Sequence, residues 1–214
     1  MGHYTRAIFG NGVCQMGDRQ QNAQENFVSQ HSHLGWLGEE RLAHIGAALG
    51  ELEGEEGVAG ELAALITGAL LELRSGDRVW LAGRPELRRA LETRLCRGSE
   101  AGAALVESWP EGCSGQAVTV VFAGAEEAFC AETLLAIRES AREKLSAVFL
   151  VEVPGERLAT QVLLSELGPE VLPRIVVDAG DVFAVLRVMQ EATAHGRRGQ
   201  GPTLVVAAHF LREP

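Results

Sequence analysis

Apolar and polar residues alternate along the chain in two patterns, one typical of buried strands and one typical of amphipathic helices. Short apolar runs predict strands at 79–82, 104–106, 118–122, 147–151, 174–177 and 203–207. Apolar residues spaced by three and four predict helices at 39–49, 62–73, 85–95, 126–144, 156–167 and 182–195. Strands that alternate with helices form right-handed βαβ units, so the predicted fold class is α/β, with a mainly parallel sheet and helices on both faces.

Local residue types predict where several of these elements begin and end. Gly50 and Gly196 are placed to end two helices, and Asp181 is placed to cap the helix that follows it. Residues 1–38 are polar and lack apolar periodicity, which is typical of an arm or loop region. The predicted organisation is therefore an arm over 1–38 and a single α/β domain over 39–214, in keeping with a chain of 214 residues.

The charge balance narrows the classes of partner. The chain has 19 basic and 29 acidic residues, which give a net charge of −10. Binding to nucleic acid or to an anionic membrane requires a positive surface, so neither partner is expected. Lys144 is the sole lysine, which restricts lysine chemistry to that position. The sequence shows neither a secretory signal nor an apolar run long enough to span a bilayer, so we expect a cytoplasmic protein.

The sequence contains no familiar catalytic or nucleotide-binding motif. It has no GxGxxG fingerprint, no Walker loop and no GxSxG elbow, and no catalytic residue is predicted. The four cysteines form no CxxC pair, which favours reduced thiols. Cys14, His31 and His33 could form a metal site, although a polar loop that contains two histidines by chance is the simpler interpretation.

Ligands of parallel sheets bind at the carboxyl ends of the strands, so the loops that follow the predicted strands are the candidate site. Asp178 and Asp181 follow one of these strands, and we interpret them as a turn residue and a helix cap rather than as paired carboxylates. Arg84 follows another strand and is interpreted as a surface arginine. Arg197 and Arg198 lie where cations interact favourably with the dipole of a helix C-terminus.

A resemblance to a known family emerges in the second half of the chain. Residues 118–152 are similar to the thiamine-diphosphate and magnesium motif, in which an apolar strand, Gly-Asp-Gly and a helix precede a second apolar strand that ends in Asn-Asn. Residues 177–185 and the Gly-Gln-Gly-Pro-Thr-Leu segment at 199–204 resemble the end of the alpha subunit of the 2-oxo acid dehydrogenase first component, of the pyruvate or branched-chain type. Residues 16–18, 26–34 and 43–48 resemble an earlier loop and helix of that subunit. The resemblance covers residues 10–50 and 116–212 and leaves 51–115 as a possible insertion.

The resemblance implies a thiamine-diphosphate-binding fold, the cofactors thiamine diphosphate and magnesium, and oxidative decarboxylation of a 2-oxo acid. It also implies a partner, which is either a beta-type subunit or a second copy in a homodimer. The positions that match cofactor or substrate contacts of the family are Gly124, Ala125, Glu126, Glu132, Val153, His31 and His33. Glu126 and Glu127 are further candidates for a metal ligand.

The chain departs from the family where the metal should bind. The metal-binding aspartate of the family falls on Ala125, and its Asn-Asn pair falls on Val153 and Pro154. Magnesium requires oxygen ligands, which these side chains lack. The threonine and glutamine of the family's cation loop fall near Trp36 and Leu37. The sequence therefore predicts a degenerate relative in which binding of the cofactor and its metal is impaired or lost.

Three other functions stay open on sequence alone. The chain could be an active enzyme in which Glu126 or Glu127, together with a beta-type subunit, completes the metal site. It could be a catalytically silent subunit that serves scaffolding or dimerisation with the same fold. It could also be an unrelated nucleotide-binding doubly wound protein, which would share only the α/β pattern.

Overall fold

The computed structural model describes residues 27–31, 34–54, 58, 60–82, 85–97, 103–109, 116–128, 130–153 and 172–209. Residues 1–50 and 51–214 form two compact units. The helix predicted over 156–167 lies outside the described residues. The boundary predicted after residue 38 stays a prediction, although residues 27–31 are helical inside the predicted arm.

Six parallel strands form one sheet in the order β2-β1-β3-β4-β6-β5. The strands are β1 (Arg78–Ala82), β2 (Ala104–Val106), β3 (Thr119–Gly124), β4 (Ala147–Val153), β5 (Arg174–Asp178) and β6 (Thr203–Ala208). The helices are α1 (Glu39–Glu53), α2 (Gly60–Leu70), α3 (Pro85–Arg97), α4 (Ala125–Ala128), α5 (Ala131–Glu143) and α6 (Val182–Arg197). Each pairing between neighbouring strands is parallel, which confirms the predicted fold class.

Helices cover both faces of the sheet. On one face Val121, Phe149 and Leu204 form a core cluster with Ile137 of α5. The alternate strand residues point to the opposite face, where α6 contacts β4, β5 and β6. The connections that contain α3 and α6 cross the sheet in the same direction, so the right-handed rule places these two helices on the same face. Burial on both faces is the reason that the central strands are almost entirely apolar.

Helix boundaries differ from the sequence prediction at three places. The helix predicted over 126–144 is interrupted, because α4 ends at Ala128 and Cys130 caps a new helix by accepting a hydrogen bond from Thr133 N at 3.4 Å. Helix α1 continues through Gly50 to Glu53, and α6 continues through Gly196 to Arg197. A glycine inside a helix weakens it only modestly, so packing of the surrounding residues decides the outcome.

A close helix crossing joins α2 to α6. A methyl group added at Gly68 of α2 would lie 2.8 Å from Val182 O and 2.8 Å from the Val185 Cβ atom of α6. Only glycine permits this approach, and the two helices pack against each other. No helix in the described ranges is both long enough and apolar enough to cross a membrane.

Hydrogen bonds around one buried aspartate fasten the amino edge of the sheet. The Asp77 side chain, which is 1% exposed, accepts from Val118 N at 2.7 Å and from Arg74 N at 2.7 Å. It also pairs with the Arg197 guanidinium at the end of α6. Arg197 is therefore the partner of a buried carboxylate, in addition to its favourable place at a helix C-terminus. We call Asp77, Arg74, Val118 and Arg197 the amino-edge cluster.

The segment predicted as a possible insertion belongs to the sheet in part. Strands β1 and β2 lie within residues 51–115, and β1 pairs with β3 along its whole length. The connection after β1 leads to β2 on one side, whereas the connection after β3 leads to β4 on the other. Ligands of open α/β sheets bind where the connections diverge in this way. Whether residues 51–115 are an insertion relative to the family stays a prediction.

Candidate functional site at the carboxyl edge of the sheet

The carboxyl ends of β3 and β4 bring the residues of the predicted motif together. Gly124, the last residue of β3, is paired in register with Glu152 of β4, and Val153 is the last residue of β4. Neighbouring strands lie about 4.8 Å apart. Gly124 and Val153 therefore end neighbouring strands, and Ala125 and Glu126 begin helix α4 directly after Gly124.

These positions offer little for binding a metal. Val153 is fully buried and packs in the apolar core, and Ala125 packs partly buried against the same core. Neither side chain carries an oxygen. Glu126 does carry a carboxylate, but its side chain is exposed to solvent. The side chain of Glu127 lies outside the described residues, as does Pro154.

A histidine between two carboxylates lies at the same edge, and the sequence analysis did not identify it. His209 directly follows β6, whose Ala207 pairs in register with Glu152 of β4. The ring of His209 lies between two carboxylates, with Nε2 at 2.6 Å from Glu152 Oε1 and Nδ1 at 2.6 Å from Glu61 Oε2. Glu61 lies in the first turn of α2. We call Glu61, His209 and Glu152 the carboxyl-edge triad.

The two contacts of the triad differ in their exposure to solvent. The Glu152 and His209 side chains are mostly buried and the Glu61 side chain is about half exposed, so the contact between Glu152 and His209 is the less screened of the two.

The sequence carries a signal for two members of the triad. Glu152 is the single charged residue within β4, and His209 comes directly after the apolar β6. Polar residues at the ends of buried parallel strands lie at the ligand-binding edge, so both could have been selected as candidates. Glu61 gives no comparable signal, because an acidic residue in the first turn of a helix is common for electrostatic reasons.

The described residues at this edge do not fit a magnesium diphosphate. Magnesium takes hard oxygen ligands in near-octahedral geometry. Ala125 and Val153 provide none, and Glu152 Oε1 is already in contact with His209 Nε2 at 2.6 Å. In the part of the chain that the structure describes, no group of three His, Cys, Asp or Glu side chains could hold a metal ion.

The remaining predicted site residues lie elsewhere. Glu132 is exposed in the first turn of α5. His31 ends the helical segment 27–31, where Nδ1 lies 2.8 Å from Phe27 O and the ring packs against that of Phe27 at 4.3 Å. His33 and Cys14 lie outside the described residues, so the alternative metal site stays a prediction. Trp36, near the expected cation loop, is exposed.

The two aspartates after β5 have the structural roles expected of them. Asp181 caps α6 by accepting from Phe183 N and Ala184 N, each at 3.0 Å. Asp178 Oδ1 accepts from Gly180 N at 2.9 Å and so forms the turn after the strand. Both predictions from sequence are confirmed. Arg84 lies outside the described residues.

Replacing His209 with alanine should lower the free energy of unfolding by about 1–3 kcal/mol, because the mostly buried Glu152 side chain loses a hydrogen-bond partner. The measurement is urea denaturation followed by circular dichroism. Glu61→Gln is the matched control on the exposed side of the triad and should cost less than about 1 kcal/mol. Equal effects of the two substitutions would contradict the assignment of the stronger contact to Glu152.

Comparison with known proteins gives structural similarity at a distant level. No protein-family model and no curated protein matches the chain. Among solved structures, the chain is similar to a Mycobacterium smegmatis protein assigned as a thiamin diphosphate-dependent enzyme, with 13% identity and a TM-score of 0.41. The similarity covers 73% of this chain and 32% of that protein, so the chain spans about a third of its length. A similarity at this level establishes no shared function, and the proposal below rests on the residues of this chain.

Proposed function

We propose that this chain is a catalytically silent subunit related to the alpha subunit of thiamine-diphosphate-dependent 2-oxo acid dehydrogenases. It retains the α/β framework, does not hold magnesium thiamine diphosphate at the β3–α4 turn, and acts by association with another chain. The observation that carries the proposal is the pair Ala125 and Val153, which occupies the two adjacent strand ends where the motif requires oxygen ligands.

The framework of the motif supports the relationship. The motif consists of an apolar strand, a turn, a helix and a second apolar strand. The structure has β3, the Gly124–Ala125 junction, α4 with α5, and then β4 in the same order, and β3 and β4 are neighbours in the sheet. The two ends that would meet around a metal therefore lie side by side in this chain as well.

The side chains at the carboxyl ends of β3 and β4 support the proposal that magnesium thiamine diphosphate does not bind there. Val153 is fully buried among apolar side chains, so it belongs to the core and not to a polar cavity. Glu152, which pairs in register with Gly124, has a mostly buried carboxylate that contacts His209. Among the described side chains at that turn, Glu126 is the one that carries a carboxylate. An active enzyme would therefore have to use this exposed residue as a metal ligand.

Isothermal titration calorimetry with magnesium and thiamine diphosphate tests the proposal. The natural chain should give no saturable heat at ligand concentrations up to the millimolar range, and binding with a sub-millimolar Kd would overturn the proposal. Ala125→Asp restores a carboxylate at the metal position and should bind magnesium about tenfold more tightly than the natural chain, a difference of about 1.4 kcal/mol. Ala125→Asn is the matched control, because it adds the same volume without the charge. If Asp and Asn behave alike, Ala125 is not the metal position and the relationship fails.

A further inference from the structure

We propose that a cavity between α6 and the beginning of β5 binds a short zwitterionic peptide with aliphatic side chains. The cavity has a volume of about 450 Å³, which lies within the range of small-molecule sites. It is lined by residues at the amino ends of β5 and β6, whereas the β3–α4 turn lies at the carboxyl ends of the strands. The inference therefore goes beyond the proposed function and does not depend on whether a cofactor binds.

The floor of the cavity consists of residues at the beginning of the two strands. Thr203 begins β6, and Ile175 of β5 pairs in register with Val205, so all three side chains lie on one face of the sheet. Leu204 points to the opposite face, where it belongs to the core cluster with α5. Leu172, which leads into β5, packs in that same cluster. Its side chain therefore leaves the cavity uncovered on the α6 face.

The wall of the cavity consists of the last two turns of α6. Glu191, His195 and Arg198 are spaced by four and three residues, so they form a stripe along one side of the helix, and all three line the cavity. Ala194 also lines the cavity and adds a small apolar surface to the wall. The wall therefore has a carboxylate at one end, a guanidinium at the other and apolar surface between them.

The two charged groups are available to a ligand. Glu191 lies 3.7 Å from Arg187, and both side chains are exposed, so this pair contributes little and can be exchanged. Arg198 donates from Nε to Gln200 Oε1 at 3.0 Å. Its two Nη atoms have no acceptor among the described residues, and a guanidinium can donate two parallel hydrogen bonds to a carboxylate. A ligand with one ammonium and one carboxylate group therefore matches both ends of the wall.

The spacing of the charges favours a peptide over a single amino acid. Glu191 and Arg198 are seven residues apart, which is about 10.5 Å along a helix axis. An extended dipeptide spans roughly 7 Å, and the two long side chains can bridge the remaining distance. A single amino acid carries its ammonium and carboxylate groups too close together to contact both side chains. The apolar floor around Ile175 selects aliphatic side chains on the ligand.

A buried nitrogen beside the cavity supports a ligand with an amide group. The Nε2 atom of His195 is enclosed and has no hydrogen-bond partner among the described residues. Buried polar groups are nearly always paired, because an unpaired one costs free energy. The ring of His195 borders the cavity, so the peptide group of a bound dipeptide is placed to supply the missing partner.

Isothermal titration calorimetry of the full chain with leucyl-leucine tests the inference. A ligand of this size at an open site should bind with a Kd on the order of 0.1–1 mM. Free leucine should bind at least about tenfold more weakly, because it does not reach both charges. Absence of saturable binding of leucyl-leucine overturns the inference, and so does equal binding of leucine.

Charge-removing substitutions test the wall. Arg198→Gln and Glu191→Gln each remove one charged partner of the ligand and should each weaken binding of leucyl-leucine about tenfold. Arg142→Gln is the matched control, because Arg142 is largely exposed at the end of α5 and does not line the cavity. It should leave the Kd unchanged. Equal effects of Arg198→Gln and Arg142→Gln overturn the inference.

Two further measurements locate the ligand. Ala194→Leu fills part of the cavity and should abolish binding while the circular dichroism spectrum stays that of the natural chain. In nuclear magnetic resonance spectra of the natural chain, the ring signals of His195, assigned with His195→Gln, should shift during the titration and those of His209 should not. Binding retained in Ala194→Leu, or shifts at His209 instead of His195, overturns the inference. Calorimetry with magnesium and thiamine diphosphate tests the proposed function separately, so the two failures are distinguishable.

Discussion

Replacing Asp77 with alanine should lower the free energy of unfolding by about 3–5 kcal/mol, because it leaves a buried guanidinium without its counter-charge. Asp77 is almost inaccessible to solvent and the Arg197 side chain is nearly so. The same substitution leaves Val118 N and Arg74 N without the carboxylate oxygens that accept from them at 2.7 Å. We expect the protein to unfold at a much lower urea concentration, measured by circular dichroism at 222 nm.

Two variants separate the causes of this loss. Asp77→Asn keeps an acceptor for one backbone N–H but removes the charge, so it should be intermediate between the natural chain and Asp77→Ala. Glu191→Ala is the matched surface control, because Glu191 pairs with Arg187 at 3.7 Å on α6 with both side chains exposed. Its removal should cost about 0.3–0.5 kcal/mol. An Asp77→Ala effect as small as that of Glu191→Ala would contradict the importance of the amino-edge cluster.

Replacing Phe149 with alanine should cost about 3–5 kcal/mol, through lost burial and the cavity that remains. Phe149 is fully buried at the centre of β4. Its ring stacks on Trp109, with ring centroids 5.7 Å apart, and Trp109 meets Trp80 edge-on at 6.0 Å. The loss should be visible in urea denaturation and as a shift in tryptophan fluorescence of the folded protein.

The control for Phe149 is an exposed apolar residue. Leu135→Ala removes apolar atoms from the surface of α5 and should change the free energy of unfolding by no more than about 0.5 kcal/mol. A comparable cost at the two positions would mean that the face of the sheet covered by α5 is loosely packed. We expect instead that the cost follows burial.

The strands were predictable from sequence because their signal is local. The apolar runs of β3, β4 and β6 contain the information that both faces are buried, and each run lies within its observed strand or differs from it by one or two residues at the ends. The break between α4 and α5 was missed because Cys130 is not among the usual capping residues. Gly50 and Gly196 were wrongly expected to end helices, because tertiary packing outweighs the modest helix propensity of glycine.

Contacts between distant parts of the chain were less accessible to the same reasoning. Asp77 follows Ser75 and Gly76, a local sequence that is typical of a turn, but its partners Val118 and Arg197 lie 41 and 120 positions away. No local pattern marks such a pairing. Arg197 could be explained by the dipole of its helix, which is correct for its position but omits the carboxylate that it contacts.

The candidate site was predictable where it follows the strand pattern. The resemblance placed Gly124, Ala125 and Val153 at strand ends, and parallel pairing of β3 with β4 makes those ends neighbours. The carboxyl-edge triad needed the sheet order, because β4 and β6 are adjacent only after the connection through β5. It also needed the position of α2, since Glu61 and His209 are 148 residues apart.

The amino-edge cluster affects which amino-acid substitutions the fold can tolerate during evolution. It ties the beginnings of β1 and β3 to the end of α6, at the opposite end of the strands from Ala125 and Glu126. Strands that are about 20 Å long separate the two ends. Substitutions among the turn residues at the far end therefore leave the contacts that resist unfolding untouched. Such a scaffold can change the residues of a ligand site without losing its folded form.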